Sequence, residues 1–466
     1  MLAGNGVKAY LYKELMPVPA LSFATRHLHC DAGIMVTASH NPAKYNGYKA
    51  YGPDGCQMTS EAADAVYAEM QATDIFAGIR LADFDAALEQ GGIEYIGQDT
   101  IEALYENIKA QSVRPGLCKT AGLKLVYSPL NGSGLVPVTR VLGDIGITDI
   151  TIVPEQQYPD GNFPTCPYPN PEIREALALG LALAEKSGAD LMLATDPDAD
   201  RVGIAVNHHG EYILPTGNEV GVLMLDYIAK QRIAQGTMPK NPIAVKSIVS
   251  TPLADVVAKS YGIQMINVLT GFKYIGEQIT LLEQKGEENR FLLGFEESYG
   301  YMTGGHVRDK DAVNGAMIIC EMAEYYKKQG KTLIDALNDI FSRFGVYAAK
   351  VKGYTFEGTE GMDKMTGIMK KLRENPPKDF GGYKILCCSD YLISKRRDFR
   401  SGGQTDILLP TSNVLEYDLE NNLKLIVRPS GTEPKIKVYL TIVTNDKEQV
   451  ETIEQRLISS ADLLMK

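Results

Sequence analysis

Residues 191–206 read LMLATDPDADRVGIAV: an apolar run, an acidic turn and a second apolar run. Each run is short and continuous enough to predict a buried strand. Between them, Asp196, Asp198 and Asp200 occupy alternate positions. In an extended or tightly turned segment, this spacing directs all three carboxylates the same way. The stretch therefore predicts two strands of an α/β domain joined by an acidic loop.

The acidic loop predicts a binding site for a hard cation. Two carboxylates about 4 Å apart repel each other by roughly 4 kcal/mol at an effective dielectric of 20, so three need solvent or a cation. All-oxygen ligands favour Mg²⁺, or Mn²⁺. An EF-hand does not fit, because its sixth and twelfth positions would be Arg201 and Asn207. A solvated acidic turn remains the alternative.

The rest of the chain follows the same α/β pattern. Apolar runs and helical stretches alternate over most of the 466 residues. At roughly 150 residues per domain, this length suggests about three domains, with four possible. The predicted domains are 1–112, 113–222, 223–345 and 346–466. The last should end in a helix whose apolar face carries Val450, Ile453, Leu457 and Ala461.

Composition narrows the class of protein. A net charge of −11 argues against a general nucleic-acid binder, and no apolar run approaches the roughly 18 residues of a membrane span. The seven cysteines are scattered without a CxxC pair, which favours reduced thiols in a cytoplasmic protein. His27, His29 and Cys30 lie close together, but no second Cys/His pair follows at zinc spacing.

Residues 34–55, IMVTASHNPAKYNGYKAYGPDG, place Ser39 where a short apolar strand ends and a loop begins. Chemistry is common at such positions in α/β folds, although a turn hydroxyl is an equally good interpretation of this stretch alone. Ser39 is not a nucleophile elbow, because Thr37 and Asn41 occupy the flanking glycine positions. Acyl transfer on Ser39 is therefore not expected.

Two further loops carry groups suited to phosphates and sugars. VRPSGTEPK, residues 427–435, offers a guanidinium, hydroxyls, exposed amides and a second cation, although an ordinary hairpin turn would look similar. GFEESYGYMTGGHVRDKD, residues 294–311, mixes acidic groups and hydroxyls with a basic set. The acidic groups suit sugar hydroxyls, and the basic set suits phosphates and proton transfer. Taken alone, this loop could also be a solvated surface loop.

Together, TASHNP, DPDADR, GFEESYGY…RDKDAV and RPSGTEPK resemble the four signature loops of the α-D-phosphohexomutase superfamily. The residues of these motifs are most similar to those of the phosphoglucomutase/phosphomannomutase and phosphopentomutase-like members of the superfamily. The four loops follow in the expected order along essentially the whole chain. The resemblance implies three related α/β domains with mixed sheets and a smaller α+β carboxyl-terminal domain around one cleft.

The resemblance also implies a role for each matching residue. Ser39 would be phosphorylated and would complete the Mg²⁺ site of Asp196, Asp198 and Asp200, with Arg201 in support. Lys310 would be a general acid/base, with His40 and Lys124 as weaker candidates. The substrate-binding residues would be Gly271, Lys273, Glu296, Ser298, Arg308, Arg428, Ser430, Gly431 and Thr432.

The implied reaction interconverts hexose 1-phosphate and hexose 6-phosphate, with glucose or mannose as the sugar, through phosphoserine and a bisphosphorylated sugar. A sugar bisphosphate would act as activator. A phosphopentomutase, a metal-dependent phosphatase and an inactive sugar-phosphate-binding fragment remain alternatives. MLAGNGVKAYLYKE resembles a helix end running into an internal strand, and the family's amino-terminal arginine-bearing loop has no match, so a truncated amino end is expected. The preferred sugar and the oligomeric state stay open.

Overall fold

The structure, a computed structural model, describes residues 1–74, 76–120, 122–356, 360–430 and 434–465. The chain forms two compact units. The first contains Met1–Val245 and Gly271–Ile334, and the second contains Lys246–Thr270 and Asp335–Lys466. Within the described ranges, no helix is both long and apolar enough to cross a bilayer.

The first 110 residues contain two separate two-stranded sheets. Strands β1 and β4 pair in parallel, and β2 and β3 pair antiparallel. Strand β2 is the strand predicted before Ser39, but Ile34 and Val36 are exposed, so the burial that its apolar sequence predicts is wrong. The elements are β1 Ala9–Leu11, α1 Val18–His27, β2 Gly33–Val36, β3 Tyr48–Tyr51, α2 Ser60–Ala72, α3 Phe84–Glu89, β4 Ile93–Tyr95 and α4 Gln98–Lys109.

The next segment forms a mixed five-stranded sheet in the order β6-β5-β7-β8-β9. Strands β5, β6 and β7 are parallel, and β7, β8 and β9 are antiparallel. Strand β7 is buried throughout, as its unbroken apolar sequence predicts, and it ends directly before the acidic loop. The elements are β5 Leu125–Ser128, α5 Leu135–Ile145, β6 Ile150–Ile152, α6 Ala178–Ser187, β7 Leu191–Thr195, β8 Val202–His208 and β9 Glu211–Ile213.

Residues 217–344 supply elements to both units. Strands β12 and β13 form an antiparallel hairpin in the first unit, and the loop after β13 leads into α10. The elements are α7 Gly217–Ala234, β10 Ile243–Ser247, α8 Leu253–Ser260, β11 Gln264–Val268, α9 Phe272–Glu283, β12 Phe291–Glu296, β13 Gly300–Met302, α10 Ala312–Lys327 and α11 Leu333–Phe344.

The carboxyl-terminal segment forms an antiparallel sheet in the order β14-β21-β20-β19-β16-β17-β18, with β15 paired to β16. The predicted terminal helix is confirmed as α13, with Leu457 and Ala461 in the core and Val450 and Ile453 packed against it. The elements are β14 Val346–Thr355, α12 Gly361–Glu374, β15 Asp379–Phe380, β16 Tyr383–Asp390, β17 Lys395–Asp398, β18 Gln404–Asp406, β19 Leu415–Leu419, β20 Lys424–Pro429, β21 Lys435–Thr444 and α13 Gln449–Leu464.

Candidate active site

The loop after β7 brings three aspartates together. Asp196, Asp198 and Asp200 are all buried, and each offers an oxygen within 4.8 Å of the others. Asp196 Oδ1 accepts the backbone N–H groups of Asp200 and Arg201 at 3.0 and 2.9 Å. Ala199, with a φ of 48°, closes the turn. Backbone bonds to Asp196 therefore hold the loop in the shape that makes the carboxylates converge.

The donor set fits a hard divalent cation. Asp198 Oδ1 and Asp200 Oδ1 are buried, and neither accepts a hydrogen bond from any residue that the structure describes. Burial and its two neighbouring carboxylates raise the pKa of Asp196 well above its ordinary range. Burial opposes ionisation of Asp200 too, but Lys310 and other cations hold its pKa well below its ordinary range. Clustered carboxylate oxygens with no hydrogen bond of their own are the ligands that Mg²⁺ or Mn²⁺ prefers.

Ser39 lies against this acidic loop. Its Oγ donates to Asp196 Oδ2 at 3.2 Å and lies 3.1 Å from His40 Nδ1. The Ser39 backbone, at a φ of 51°, donates its N–H to Thr37 Oγ1, which donates in turn to Asp198 Oδ2 at 3.1 Å. Two hydroxyl groups thus dock the serine loop on the acidic loop.

His40 is a neutral neighbour of Ser39. Burial, assisted by the nearby charge of Arg201, lowers the pKa of His40 to about 3. The imidazole therefore carries no charge at neutral pH, and an imidazolium that could protonate a leaving group is not available there. Its ring is suited to a hydrogen bond with Ser39 Oγ.

Two lysines reach the acidic loop from different segments. Lys49 of β3 donates to Asp198 Oδ2 at 3.0 Å and to Asp200 Oδ2 at 3.1 Å. Lys310 Nζ lies 3.2 Å from Asp200 Oδ2 and 3.1 Å from Asp309 Oδ1. Burial opposes the charge of Lys310, but these carboxylates raise its pKa above the ordinary value, so it is an ammonium at neutral pH.

Arg201 is the third cationic side chain, after Lys49 and Lys310, that faces the acidic loop. Its Nη1 donates to Glu172 Oε1 at 2.6 Å, while its Nε lies 3.8 Å from Asp200 Oδ1 and 4.0 Å from Asp196 Oδ2. The guanidinium is therefore anchored at one end and faces the acidic loop at the other.

A glutamate at the end of β12 joins two segments. The buried side chain of Glu296 accepts the N–H of Gly271 at 2.7 Å. Gly271 has a φ of 123°, a conformation that favours glycine, and Lys273 lies in the first turn of the helix that follows it. Burial raises the pKa of Glu296, and Lys310 opposes that rise. Ser298 follows two residues later and is half-buried.

Lys124 does not join this cluster. It precedes β5, is exposed, and its N–H donates to Asp190 Oδ2 at 2.7 Å. Because β5 and β7 are parallel with Leu125 opposite Leu191, Lys124 lies at the far end of the sheet from Asp196. Lys124 is level with Asp190, and the six residues from there to Asp196, at about 3.3 Å each, give a separation of roughly 20 Å. The structure therefore does not bring Lys124, a predicted acid/base candidate, to the acidic loop.

Arg308, predicted as a substrate ligand, is bonded to other groups of the protein in this structure. Its side chain is fully buried. The guanidinium donates to the carbonyls of Gly305 and Val307 at 2.6 and 3.0 Å, to Thr280 Oγ1 at 3.2 Å and to Glu283 Oε2 at 2.7 Å. Four of its five N–H donors are used inside the protein, and the side chain is fully buried, so the structure gives it a stabilising role.

The predicted phosphate loop belongs to the second unit. Arg428 lies in β20, and its Nη1 is 3.5 Å from the hydroxyl of Tyr439. The Ser430 N–H donates to the carbonyl of Lys435 at 2.7 Å, next to Pro429 and Ile436, the last paired residues of β20 and β21. Gly431 and Thr432 lie outside the described residues.

Sequence reasoning missed several residues of the cluster. Lys49 and Tyr51 lie in the quoted segment that contains Ser39, and strand alternation places both on one face of β3. That alternation was the available signal for them. The partners of the cations, Glu172 and Asp309, carried no such signal, because only the folded chain brings them into place.

Four family models match the chain. They are described as phosphoglucomutase/phosphomannomutase alpha/beta/alpha domain I, domain II and domain III and the C-terminal domain, and they match residues 1–75, 101–210, 216–344 and 389–460. A phosphoglucomutase of Staphylococcus saprophyticus is 35% identical over 463 residues, covering 99% of this chain and 82% of that protein.

Solved structures show the same fold. Parafusin, a phosphoglucomutase from Paramecium in its open form, superimposes with a TM-score of 0.67 at 19% identity over 99% of this chain and 82% of that one. Aspergillus fumigatus N-acetylphosphoglucosamine mutase, in complex with GlcNAc-6P and magnesium, gives a TM-score of 0.53 at 14% identity over 96% and 93%.

Mixed α/β domains, near full-length similarity to phosphoglucomutases and a serine lying on an acidic loop define the class of this protein: it is a phosphohexose mutase. The chain belongs to the phosphoglucomutase/phosphomannomutase family, within the α-D-phosphohexomutase superfamily.

Proposed function

We propose that the enzyme interconverts the 1- and 6-phosphates of glucose, mannose or both through a phosphorylated Ser39. The observation that carries this proposal is the 3.2 Å contact between Ser39 Oγ and Asp196 Oδ2, beside three cationic side chains. Without cations nearby, the aspartates of the acidic loop would repel a phosphate group on Ser39. A metal ion with Lys49, Lys310 and Arg201 would neutralise that charge.

We assign the metal as Mg²⁺, held by Asp196, Asp198 and Asp200 with an oxygen of phosphoserine 39. Support comes from the buried oxygens of Asp198 and Asp200 that accept no hydrogen bond from described residues. The structure of the Aspergillus fumigatus mutase contains magnesium. When bound, Mg²⁺ supplies neutralisation of the charge on the transferring phosphoryl oxygens.

Lys310 is the proposed general acid. Its ammonium lies among the carboxylates of Asp200 and Asp309, which favour the charged form. An ammonium can protonate the oxygen of a leaving group, and the amine so formed can take a proton in the reverse direction. Lys49 and Arg201 carry fixed positive charge beside Ser39, and neutral His40 orients its hydroxyl.

The substrate is proposed to be held at both ends. Glu296 and Ser298, with Gly271 and Lys273, would bind sugar hydroxyls, because a buried carboxylate and a hydroxyl are good partners for a polyol. The phosphate that is not reacting would be bound by Arg428, Ser430, Gly431 and Thr432, as a guanidinium and amides suit an anion. The functional domains are proposed as 1–112, 113–222, 223–345 and 346–466.

A sugar bisphosphate is the proposed activator, since it is also the intermediate that leaves phosphate on Ser39. A serine-to-alanine variant of the Aspergillus fumigatus enzyme was solved in complex with glucose 1,6-bisphosphate. The cytoplasm is the proposed location, supported by seven free thiols. Neither nucleic acid nor membrane is a proposed partner.

A coupled assay tests the proposal. The full chain, supplied with Mg²⁺, glucose 1-phosphate and a trace of glucose 1,6-bisphosphate, should form glucose 6-phosphate. Ser39→Ala should lose this activity, whereas Ser342→Ala, at an exposed position of α11, should retain it. Turnover by Ser39→Ala would contradict the assignment of the phosphoryl carrier.

The same assay separates the alternatives. Release of inorganic phosphate would indicate a phosphatase, and faster turnover of ribose 1-phosphate than of hexose phosphates would indicate a phosphopentomutase. Binding without turnover would indicate a sugar-phosphate-binding protein. Each of these outcomes contradicts the proposed reaction.

A further inference from the structure

Strand β3 sends two side chains toward the catalytic cluster. Lys49 and Tyr51 are two residues apart and therefore lie on the same face of the strand. Lys49 contacts Asp198 and Asp200 directly. Tyr51 is completely buried, and its hydroxyl donates to Asp309 Oδ2 at 2.6 Å. Burial and the charge of Asp309 raise the pKa of Tyr51 well above its ordinary value, so the hydroxyl keeps its proton.

The other oxygen of Asp309 holds Lys310. Asp309 Oδ1 accepts the Lys310 backbone N–H at 2.8 Å and its ammonium at 3.1 Å. The carboxylate is planar, so the hydrogen bond from Tyr51 to Oδ2 fixes the direction in which Oδ1 points. Asp309 is buried with only 2% of its surface exposed. The ammonium of Lys310 then lies between Asp309 and Asp200.

We propose that Tyr51 is a positioning residue of the mutase reaction, which acts through Asp309 to hold the Lys310 ammonium beside the acidic loop. This inference rests on the proposed function of Lys310 as the general acid. A tyrosine in the strand that follows the Ser39 loop thereby sets the geometry of a residue in the loop before α10. The buried contact between Tyr51 and Asp309 therefore links the segment that follows Ser39 to the loop that carries Lys310.

The contact has a specific energetic character. A neutral hydroxyl that donates to a buried carboxylate is worth more than a bond between neutral groups. Without it, Asp309 would keep its bonds to Lys310 but could rotate about its side-chain torsions. The ammonium would then occupy several positions, and the fraction of productive encounters would fall.

Tyr51→Phe removes only the hydroxyl and tests the proposal. We expect kcat to fall about tenfold, the equivalent of one buried hydrogen bond to a charged group, while the KM for glucose 1-phosphate stays within about twofold. The matched control is Tyr227→Phe, which removes a 2.9 Å bond from another fully buried tyrosine to a buried glutamate, Glu321. It should lose stability without a comparable loss of kcat.

A double-mutant cycle with Asp309→Asn identifies the route. If Tyr51 acts through Asp309, Tyr51→Phe should add less than about twofold to the loss already caused by Asp309→Asn. Full additivity, or a Tyr51→Phe enzyme as fast as the wild type, would overturn the proposal. If the wild type itself lacks turnover, the proposed function fails instead, so the two failures are distinguishable. Thermal unfolding of each variant shows that the measured protein is folded.

Discussion

Arg308 and Lys310 lie two residues apart in one loop, and their side chains have different roles. The guanidinium of Arg308 is bonded to Glu283 and to two carbonyls of its own loop. The ammonium of Lys310 reaches Asp200 on the acidic loop. One cation therefore stabilises the loop, and the other serves the site that the loop approaches.

Replacing Arg308 should affect stability and leave substrate affinity intact. Arg308→Met removes the donor to the carbonyls of Gly305 and Val307 and leaves Glu283 with Arg26 as its remaining cation, so the free energy of unfolding should fall by about 3 kcal/mol. Denaturant titration measures this loss, and the KM of the folded fraction should stay near the wild-type value. By contrast, Arg428→Ala should raise the KM for glucose 1-phosphate about tenfold and leave the free energy of unfolding nearly unchanged. A raised KM in a fully stable Arg308→Met enzyme would contradict this assignment.

At the scale of elements, one glycine brings α9 against the loop that carries Lys310. A Cβ placed on Gly276 would lie 2.3 Å from the carbonyl oxygen of Arg308 and 2.9 Å from Cys56 Sγ. Neither neighbour is the end of a flexible side chain on the surface. The helix can approach this loop so closely only because position 276 has no side chain.

Gly276→Ala should therefore destabilise the protein although alanine favours helices. Overpacking costs about 1–3 kcal/mol, which outweighs a gain in helix propensity of about 1 kcal/mol. Because the displaced backbone leads to Lys310, kcat should fall as well. Gly143→Ala, a helical glycine with no heavy atom within 4 Å of its added Cβ, is the control and should be as stable as the wild type or more stable. Thermal unfolding and initial rates measure both effects, and a neutral Gly276→Ala would contradict the close approach.

The elements themselves follow from local sequence, whereas their contacts do not. Strand β7 and helix α13 could be predicted because an apolar run and a helical apolar stripe record their surroundings in the sequence. The contact between Lys49 and Asp198 joins residues 149 positions apart. Neither residue type nor spacing reveals such a pair. For the same reason, the sequence did not show that Lys310 contacts the acidic loop and that Lys124 and Arg308 do not.

At the scale of the whole molecule, the first unit buries an acidic loop. Asp196, Asp198 and Asp200 are at most 5% exposed, so water screens their repulsion poorly. Lys49, Lys310 and Arg201 offset part of this charge. Even with these cations, Asp198 Oδ1 and Asp200 Oδ1 accept no hydrogen bond from described residues. The proposed metal should therefore contribute to folding as well as to catalysis.

Mg²⁺ should raise the melting temperature of the full chain. A ligand that binds only the folded state at about 100 times its Kd stabilises it by roughly 2.7 kcal/mol. Asp198→Asn should lose most of this increase, because the variant offers one charged ligand fewer. Asp64→Asn, on an exposed helix, should retain it. Differential scanning calorimetry with Mg²⁺ or EDTA measures the effect, and an equal shift in both variants would place the metal elsewhere.

The four loops in order were enough to indicate the superfamily, because each carries a distinct set of polar groups that a packed core would not require. Several supporting contacts were beyond sequence reasoning. Tyr51 looks like any aromatic residue of a strand, and Asp309 like any acidic residue of a loop. Only burial and the 2.6 Å contact between them show their connection to Lys310.

Phosphorylation of Ser39 is the central claim, and intact-mass spectrometry tests it most directly. The full chain is incubated with Mg²⁺ and glucose 1,6-bisphosphate beside Ser39→Ala. We predict the mass of one added phosphoryl group on the wild type, located on Ser39 by peptide mapping and absent from the variant. A folded wild type that gains no mass, or gains it at another residue, would contradict the assignment of Ser39 as the phosphoryl carrier.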